Sequence, residues 1–386
     1  MLSAMTQTDA VTPFLIEIHQ SELDDLAARL ERTRFPSPLP GDGWDTGVPV
    51  EYLRELVAYW RSEYDWRAAE KELNRLPQFT TTIDGQLIHF LHIRSSAADA
   101  TPLLLTHGWP GSFVEFLDLI EPLTDPIDGE PAFHLVIPTL PGFGFSNPVV
   151  ESGWTTTRIA RAWDALMDRL GYHRYGVQGG DIGAAVSPEI ARLVPDRVIG
   201  VHINGNVGAP VDGVSDEEKE QLSEIERDRV ARIEAFMIEE FGYIAIQGTR
   251  PQVLAAGLTD SPVGQLAWIV DKFRQWTYPL SALPDTIVDR DRMLTNVMLY
   301  WLTSAAGSSA YVGYASDSSW GAAPAVSGVP TGVIVFAHDV GIRRYAELEH
   351  NITRWTDVED LGGHFAALEE PGMLVDDIRS FFADLR

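Results

Sequence analysis

Short apolar runs separated by helical periodicities dominate the middle of the chain. FTTTI and QLIHFLHI flank Asp84-Gly85, a dipeptide suited to a tight hairpin turn, and predict two antiparallel strands from about residue 78 onward. LLLT (103–106), FHLVIP (133–138), YGVQ (175–178) and VIGVHI (198–203) predict further strands. Between several of them lie patterns such as Ile159, Trp163, Leu166 and Leu170, spaced to line one face of a helix. Strands alternating with helices imply a mostly parallel sheet covered on both faces, hence an α/β fold. The alternation lapses between about residues 207 and 325, where SDEEKEQLSEIERDRVARIEAF and further helical patterns bring no clear strand. It resumes with VPTGVIVF (329–336), ITRWTDV (352–358) and a closing helix that carries Leu374, Ile378, Phe381 and Phe382. A helical insertion within a continuing sheet predicts a lid, which excludes water and shapes a pocket.

The first 77 or so residues read as helical. Ser21 is placed to cap a turn, with Asp24 three residues later, ahead of Leu23, Leu26 and Leu30. Leu53, Leu56, Val57 and Trp60 give a second buried stripe, and Pro36, Pro38 and Pro40 break the chain between the two helices. Two helices and a proline-rich link bury little alone, so this segment predicts a wrapping arm rather than an independent domain. The expected division is a helical arm over 1–77, a first core segment over 78–206, a helical lid over 207–325 and a second core segment over 326–386. The sequence shows no internal repeat and no low-complexity tract.

Composition narrows the chemistry. The 386 residues are 45% hydrophobic and 22% charged, the balance of a soluble globular protein large enough to bury a deep site. No apolar run approaches the roughly 18 residues of a membrane span. The opening MLSAMTQTDA lacks a basic segment and an apolar core, so a cytoplasmic location is expected. The absence of cysteine excludes disulfides, thiolate metal sites and cysteine nucleophiles, leaving oxygen and nitrogen groups for covalent work. A net charge of −27 repels phosphate backbones and anionic lipid, so neither nucleic acid nor a membrane is an expected partner. The acidity itself reads as a solubility device.

Gly179-Gly180-Asp181-Ile182-Gly183, between the strand YGVQ and the helical run AAVSPEIARLV, has the form of a nucleophile elbow with a carboxylate in place of the usual serine. A sharp strand-to-helix turn strains its central residue and needs small neighbours. The plainer alternative is an aspartate that caps the following helix. His107-Gly108-Trp109-Pro110 follows the strand LLLT, where an oxyanion loop stands relative to such an elbow. The backbone N–H groups of Trp109 and Ile182 would form the hole, with His107 and Pro110 near the substrate; an ordinary Gly-Pro turn is the alternative. His364 in Gly362-Gly363-His364 lies between the last strand and the last helix, in the chain order nucleophile, acid, base. Asp339, ending VIVFAH, is the preferred acid, because Asp357 and Asp360 stand too close to His364 to come from a separate strand end.

With these residues in hand the chain resembles the microsomal-type epoxide hydrolases of the α/β-hydrolase superfamily. The likeness rests on HGWPGS, QGGDIG, NVMLYWLT (296–303), GGHFAALEEP (362–371) and the helical N-terminal arm, and runs from about residue 13 to the end. Membrane-bound relatives carry an N-terminal anchor that this sequence lacks, so the soluble bacterial and fungal members are the nearer match. SSAYVGY and VIVFAHDVGIRRYAE further resemble epoxide hydrolases of actinobacterial enediyne antibiotic pathways. The resemblance implies an α/β-hydrolase fold with a mostly parallel sheet, helical lid and N-terminal arm. It also implies two lid tyrosines that hold the epoxide oxygen. The first maps to Tyr243; the second maps to Tyr314, with Tyr311 in reserve, because the family's tyrosine follows an Arg-x pair that this chain lacks.

The expected reaction converts an epoxide and water to a vicinal diol. Asp181 attacks an epoxide carbon, the tyrosines steady the alkoxide, and His364 with Asp339 activates the water that cleaves the ester. No metal or organic cofactor is required, the partner is a small-molecule epoxide, aryl or vinyl in natural-product biosynthesis, and a homodimer is left open. Two rivals stand beside this reading. A haloalkane dehalogenase shares the aspartate but usually follows it with a halide-binding tryptophan, where this chain has Ile182. A noncatalytic ligand-binding relative would typically have lost members of the triad.

Overall fold

The computed structural model describes residues 10–41, 43–127, 129–211, 213–315 and 326–385. Its nine strands are β1 (Thr12–Phe14), β2 (Gln78–Ile83), β3 (Gln86–Ile93), β4 (Thr101–Thr106), β5 (Phe133–Pro138), β6 (Tyr175–Gly179), β7 (Val198–Asn204), β8 (Pro330–Val335) and β9 (Asn351–Asp357). They form one sheet in the order β1-β2-β3-β5-β4-β6-β7-β8-β9. From β5 to β9 the pairings are parallel, and β1, β2, β3 and β5 are joined antiparallel. β2 and β3 meet at Asp84-Gly85, whose φ angles of 50° and 78° suit the tight turn those residues predict.

β4 lies between β5 and β6, so successive connections leave it toward opposite edges of the sheet. A crevice opens at the carboxyl ends of parallel strands where the winding reverses in this way, and functional groups collect there. The strands around it are buried on both faces, with Leu103, Leu104, Leu105, Leu135, Val136 and Val177 at 0% exposure. That explains why they read as continuous apolar runs rather than alternations.

The lid enters between β7 and β8, which pair directly in the sheet. Among the described residues of this insertion every regular element is a helix, and Pro262–Trp276 and Arg290–Leu302 bury whole faces against the core. The expected lid boundary at 325 and the start of the expected arm lie outside the described residues. The arm is tied down more firmly than its helices alone suggest. β1 adds to the sheet edge beside β2, and Asn74 both accepts the Ile16 N–H and donates to the Ile16 carbonyl, at 2.9 and 2.8 Å. Its first helix is Gln20–Glu31 and is capped by His19, whose ring accepts the Ser21 N–H; the expected cap, Ser21, sits inside the first turn. A third arm helix, Trp66–Leu73, is capped by Asp65.

The helix that starts at Ile182 can approach β4 only because Gly183 has no side chain: a Cβ there would lie 2.0 Å from the Thr106 carbonyl oxygen. Gly183→Ala is therefore expected to cost about 1–3 kcal/mol, the usual penalty of overpacking, read as a lowered thermal midpoint. An unchanged midpoint would contradict this packing of helix on strand.

Candidate active site

Asp181 stands at the end of β6 with φ 53° and ψ −119°, a left-handed conformation that costs a non-glycine residue on the order of 1–3 kcal/mol. Its carboxylate does not cap the helix in the usual way. Oδ1 instead accepts the Trp109 N–H at 2.8 Å, and the Ile182 N–H donates to the same carboxylate. The loop after β4 must come very close for this, and Gly108 permits it, since a Cβ there would lie 2.3 Å from the aspartate. The two N–H groups expected to form an oxyanion hole thus both donate to the Asp181 carboxylate.

The other oxygen faces the histidine, with Asp181 Oδ2 3.3 Å from His364 Nε2. Burial works against the imidazolium, but the hydrogen bond and charge of Asp181, joined by the charges of Asp339 and Glu115, push His364 up to about 9. Burial likewise opposes the Asp181 carboxylate, and His364 together with the Trp109 and Ile182 N–H groups holds it below its ordinary range. The resting site is an ion pair. Asp339 lies beyond the end of β8, is 2% exposed, and accepts the Phe336 N–H at 3.1 Å. Burial raises its pKa, and the nearby charges of His364, Arg229 and Arg232 oppose that rise. Its action on His364 is through its charge.

Beside the pair is a cavity of about 10 Å³, room for a single water, whose polar walls include Asp181, His364, Glu115 and Asn204. Glu115 is pushed up to about 8 by burial and by the Asp181 charge, against His364 and the Ser112 N–H, so it carries a proton at neutral pH. Nothing in the sequence reading singled it out. The only available signal was its place within HGWPGSFVEF, where it is the one charged residue.

The aromatic wall lies opposite. Tyr243 stacks on Trp109 at 5.1 Å between ring centroids and meets Trp276 at 5.4 Å, while Trp276 packs on the His364 ring at 4.9 Å. Among the described residues the Tyr243 hydroxyl has no hydrogen-bond partner, and burial together with the Asp181 and Glu240 charges raises its pKa. Tyr314 is placed differently. It is 52% exposed, and its ring contact among the described residues is with Tyr311 at 5.6 Å. The structure brings neither tyrosine into the Trp109–Tyr243–Trp276 group.

His107 also falls outside the cavity wall. It is fully buried, its Nε2 accepts the Leu140 N–H at 3.2 Å, and burial lowers it to about 4, so it is a neutral support for the loop. Pro110 follows a cis peptide bond, and its carbonyl accepts from Asn296 at 2.7 Å. One helical turn on, Tyr300 donates to the Gly111 carbonyl at 2.7 Å. Asn296 and Tyr300, at i and i+4 on the helix Arg290–Leu302, therefore clamp the loop after β4. This gives NVMLYWLT a physical role. Among the described residues no cluster of three or more His, Cys, Asp or Glu side chains could hold a metal ion.

Comparison with known proteins shows what the whole chain is similar to. A family profile described as "Epoxide hydrolase N terminus" matches residues 11–116, and one described as "alpha/beta hydrolase fold" matches residues 101–243. A protein of Stigmatella aurantiaca (strain DW4/3-1), named provisionally as an epoxide hydrolase, is 43% identical over 97% of this chain and 86% of its own. Epoxide hydrolase 1 of Sus scrofa is 33% identical over 98% of this chain and 90% of its own. The crystal structure of juvenile hormone epoxide hydrolase from the silkworm Bombyx mori superposes with a TM-score of 0.88 at 32% identity, covering 98% of this chain and 96% of that one.

The ion pair sets a spectroscopic expectation. By NMR the His364 imidazole of the resting protein is expected to titrate near 9. In Asp181→Asn the bond and charge that raise it are gone, burial prevails, and the pKa is expected to fall. A value unchanged by the substitution would separate the two residues electrostatically.

Proposed function

The chain belongs to the epoxide hydrolases of the α/β-hydrolase fold, and from that premise we propose that it opens its substrate through a covalent ester on Asp181. The observation that carries this reading is the division of labour between the two carboxylate oxygens. Oδ1 accepts the Trp109 N–H, while Oδ2 faces His364. Oδ2 attacks an epoxide carbon, a carbon–oxygen bond forms as the ring bond breaks, and the electron pair goes to the epoxide oxygen. Tyr243 gives that oxygen its proton. Oδ1 becomes the ester carbonyl oxygen, already seated in the hole that stabilises the next oxyanion.

Ester formation removes the negative charge of Asp181, and with it the largest favourable influence on the His364 imidazolium. Burial then lowers the histidine's pKa, so its proton passes to the Tyr243 phenolate left by ring opening, restoring the phenol, and the neutral imidazole is a base at the moment one is needed. Water in the cavity between His364 and Glu115 gives a proton to the imidazole and attacks the ester carbon. Collapse of the tetrahedral intermediate expels the diol oxygen, which takes the proton back from His364. The second water proton, left on the new carboxyl group, passes to the His364 imidazole and restores the ion pair. Asp339 holds its charge near His364 throughout both steps.

The aromatic wall of Trp109, Tyr243 and Trp276 suits an aryl or vinyl epoxide, which could stack on it, and we extend the proposal to such a substrate in natural-product biosynthesis. A dehalogenase reading is less well supported, because Ile182 offers a leaving halide no side-chain N–H.

His364→Gln should still be alkylated and then stall. Mass spectrometry after brief exposure to styrene oxide should show an adduct of one substrate on the peptide that carries Asp181. Loss of turnover with no adduct in the folded variant would remove the ester from the mechanism. Tyr243→Phe should slow adduct formation by roughly the 10²–10³ typical of one lost oxyanion donor, as seen by quench-flow.

A further inference from the structure

The lid helix Pro262–Trp276 carries a lysine that is only 5% exposed, a costly place for a charge. Lys272 Nζ lies over the Tyr243 ring, 4.9 Å from its centroid, and 5.4 Å from that of Trp276. Its carboxylate neighbours are Asp271 at 2.9 Å and Glu240 at 3.9 Å, and Glu240 also accepts the Trp276 indole N–H at 2.9 Å. Tyr243 therefore stands among acidic groups. Burial, the Asp181 charge and the Glu240 charge all resist loss of its proton. Lys272 is the cation packed on the ring.

We propose that Lys272 is a positioning residue for ring opening, acting through Tyr243: its ammonium group over the ring face stabilises the negative charge that develops on the phenol oxygen as the proton passes to the epoxide oxygen. The inference rests on the role given above to Tyr243. A cation over an aromatic face is attracted to the ring's π electrons, and the attraction grows as the ring gains charge during proton transfer. The Lys272–Glu240–Trp276 chain also fixes that ammonium to the wall that contacts His364, where Trp276 accepts the His364 backbone N–H at 2.9 Å. Charge and placement arrive together at one phenol. A lysine serving only to pack the lid would have the same pairs with Asp271 and Glu240, but its effect would not depend on the hydroxyl of Tyr243.

The test is a double-mutant cycle on the alkylation step, measured by quench-flow with enzyme in excess over styrene oxide. Lys272→Met is expected to slow ester formation roughly 10- to 30-fold, the factor corresponding to a desolvated cation–ring interaction, with the ester-hydrolysis rate left within about twofold. Lys272→Arg, which keeps the charge, restores most of the rate. In a Tyr243→Phe background Lys272→Met produces no further slowing. Equal slowing in both backgrounds, or a Lys272→Met protein as fast as wild type, overturns the proposal. Failure of the wild type to form any ester defeats the mechanism itself and is read separately. Should Lys272→Met not fold, Lys272→Met with Asp271→Asn leaves one fewer unpaired carboxylate and is read by the same cycle.

Discussion

The Asp181 carboxylate is half-buried, and the surrounding structure is arranged to hold its negative charge. Two backbone N–H groups and one imidazole hold it, and each comes from a different part of the chain: the loop after β4, the start of the helix after β6, and the loop after β9. A desolvated carboxylate would ordinarily take up a proton, so these donors must be in place before substrate arrives. Their arrangement depends in turn on a strained backbone at Asp181 and on glycines that allow strand, loop and helix to close to contact distance. Such strain persists only where the fold over-determines it. Here the determinants are a sheet buried on both faces and the helix Arg290–Leu302, which clamps the loop after β4 through Asn296 and Tyr300.

In the proposed mechanism the same charge couples the two halves of the reaction. While it is present, His364 would be a cation that stabilises the nucleophile; once it is consumed in an ester, His364 would be an imidazole with a weaker hold on its proton. One residue thus serves two opposite functions without any change in position. The lid contributes more than exclusion of water. Its Pro262–Trp276 helix brings Trp276 against His364, and its Gly242–Thr249 helix brings Tyr243 against Trp109, so the residues proposed as acid, base and oxyanion hole share one aromatic wall.

Much of this was legible in the sequence because it follows from local rules. The elbow announces itself through glycines on both sides of Asp181, the hairpin through Asp84-Gly85, and the parallel strands through uninterrupted apolar runs. What was not legible depends on tertiary placement. β1 spans Thr12–Phe14 at a sheet edge, too short for any period to show. The cap of the first helix fell to His19 rather than Ser21, since a ring nitrogen at that position accepts the same N–H. The helix Ala306–Ala315 is made almost entirely of small residues on every side, so nothing in AGSSAYVGYA marks which face meets the site, and Tyr314 projects outward. Glu115 and Lys272 are charged residues whose burial appears only when distant segments meet, and no spacing along the chain encodes that.

The central claim, that an oxygen of Asp181 itself enters the product, is tested most directly by a single turnover in water enriched in ¹⁸O, with enzyme in excess over styrene oxide. The account predicts a first-turnover diol carrying no label from the solvent and an Asp181-containing peptide heavier by one ¹⁸O. Labelled diol in that first turnover, with the peptide unlabelled, would mean that water attacks the epoxide directly and that no ester forms.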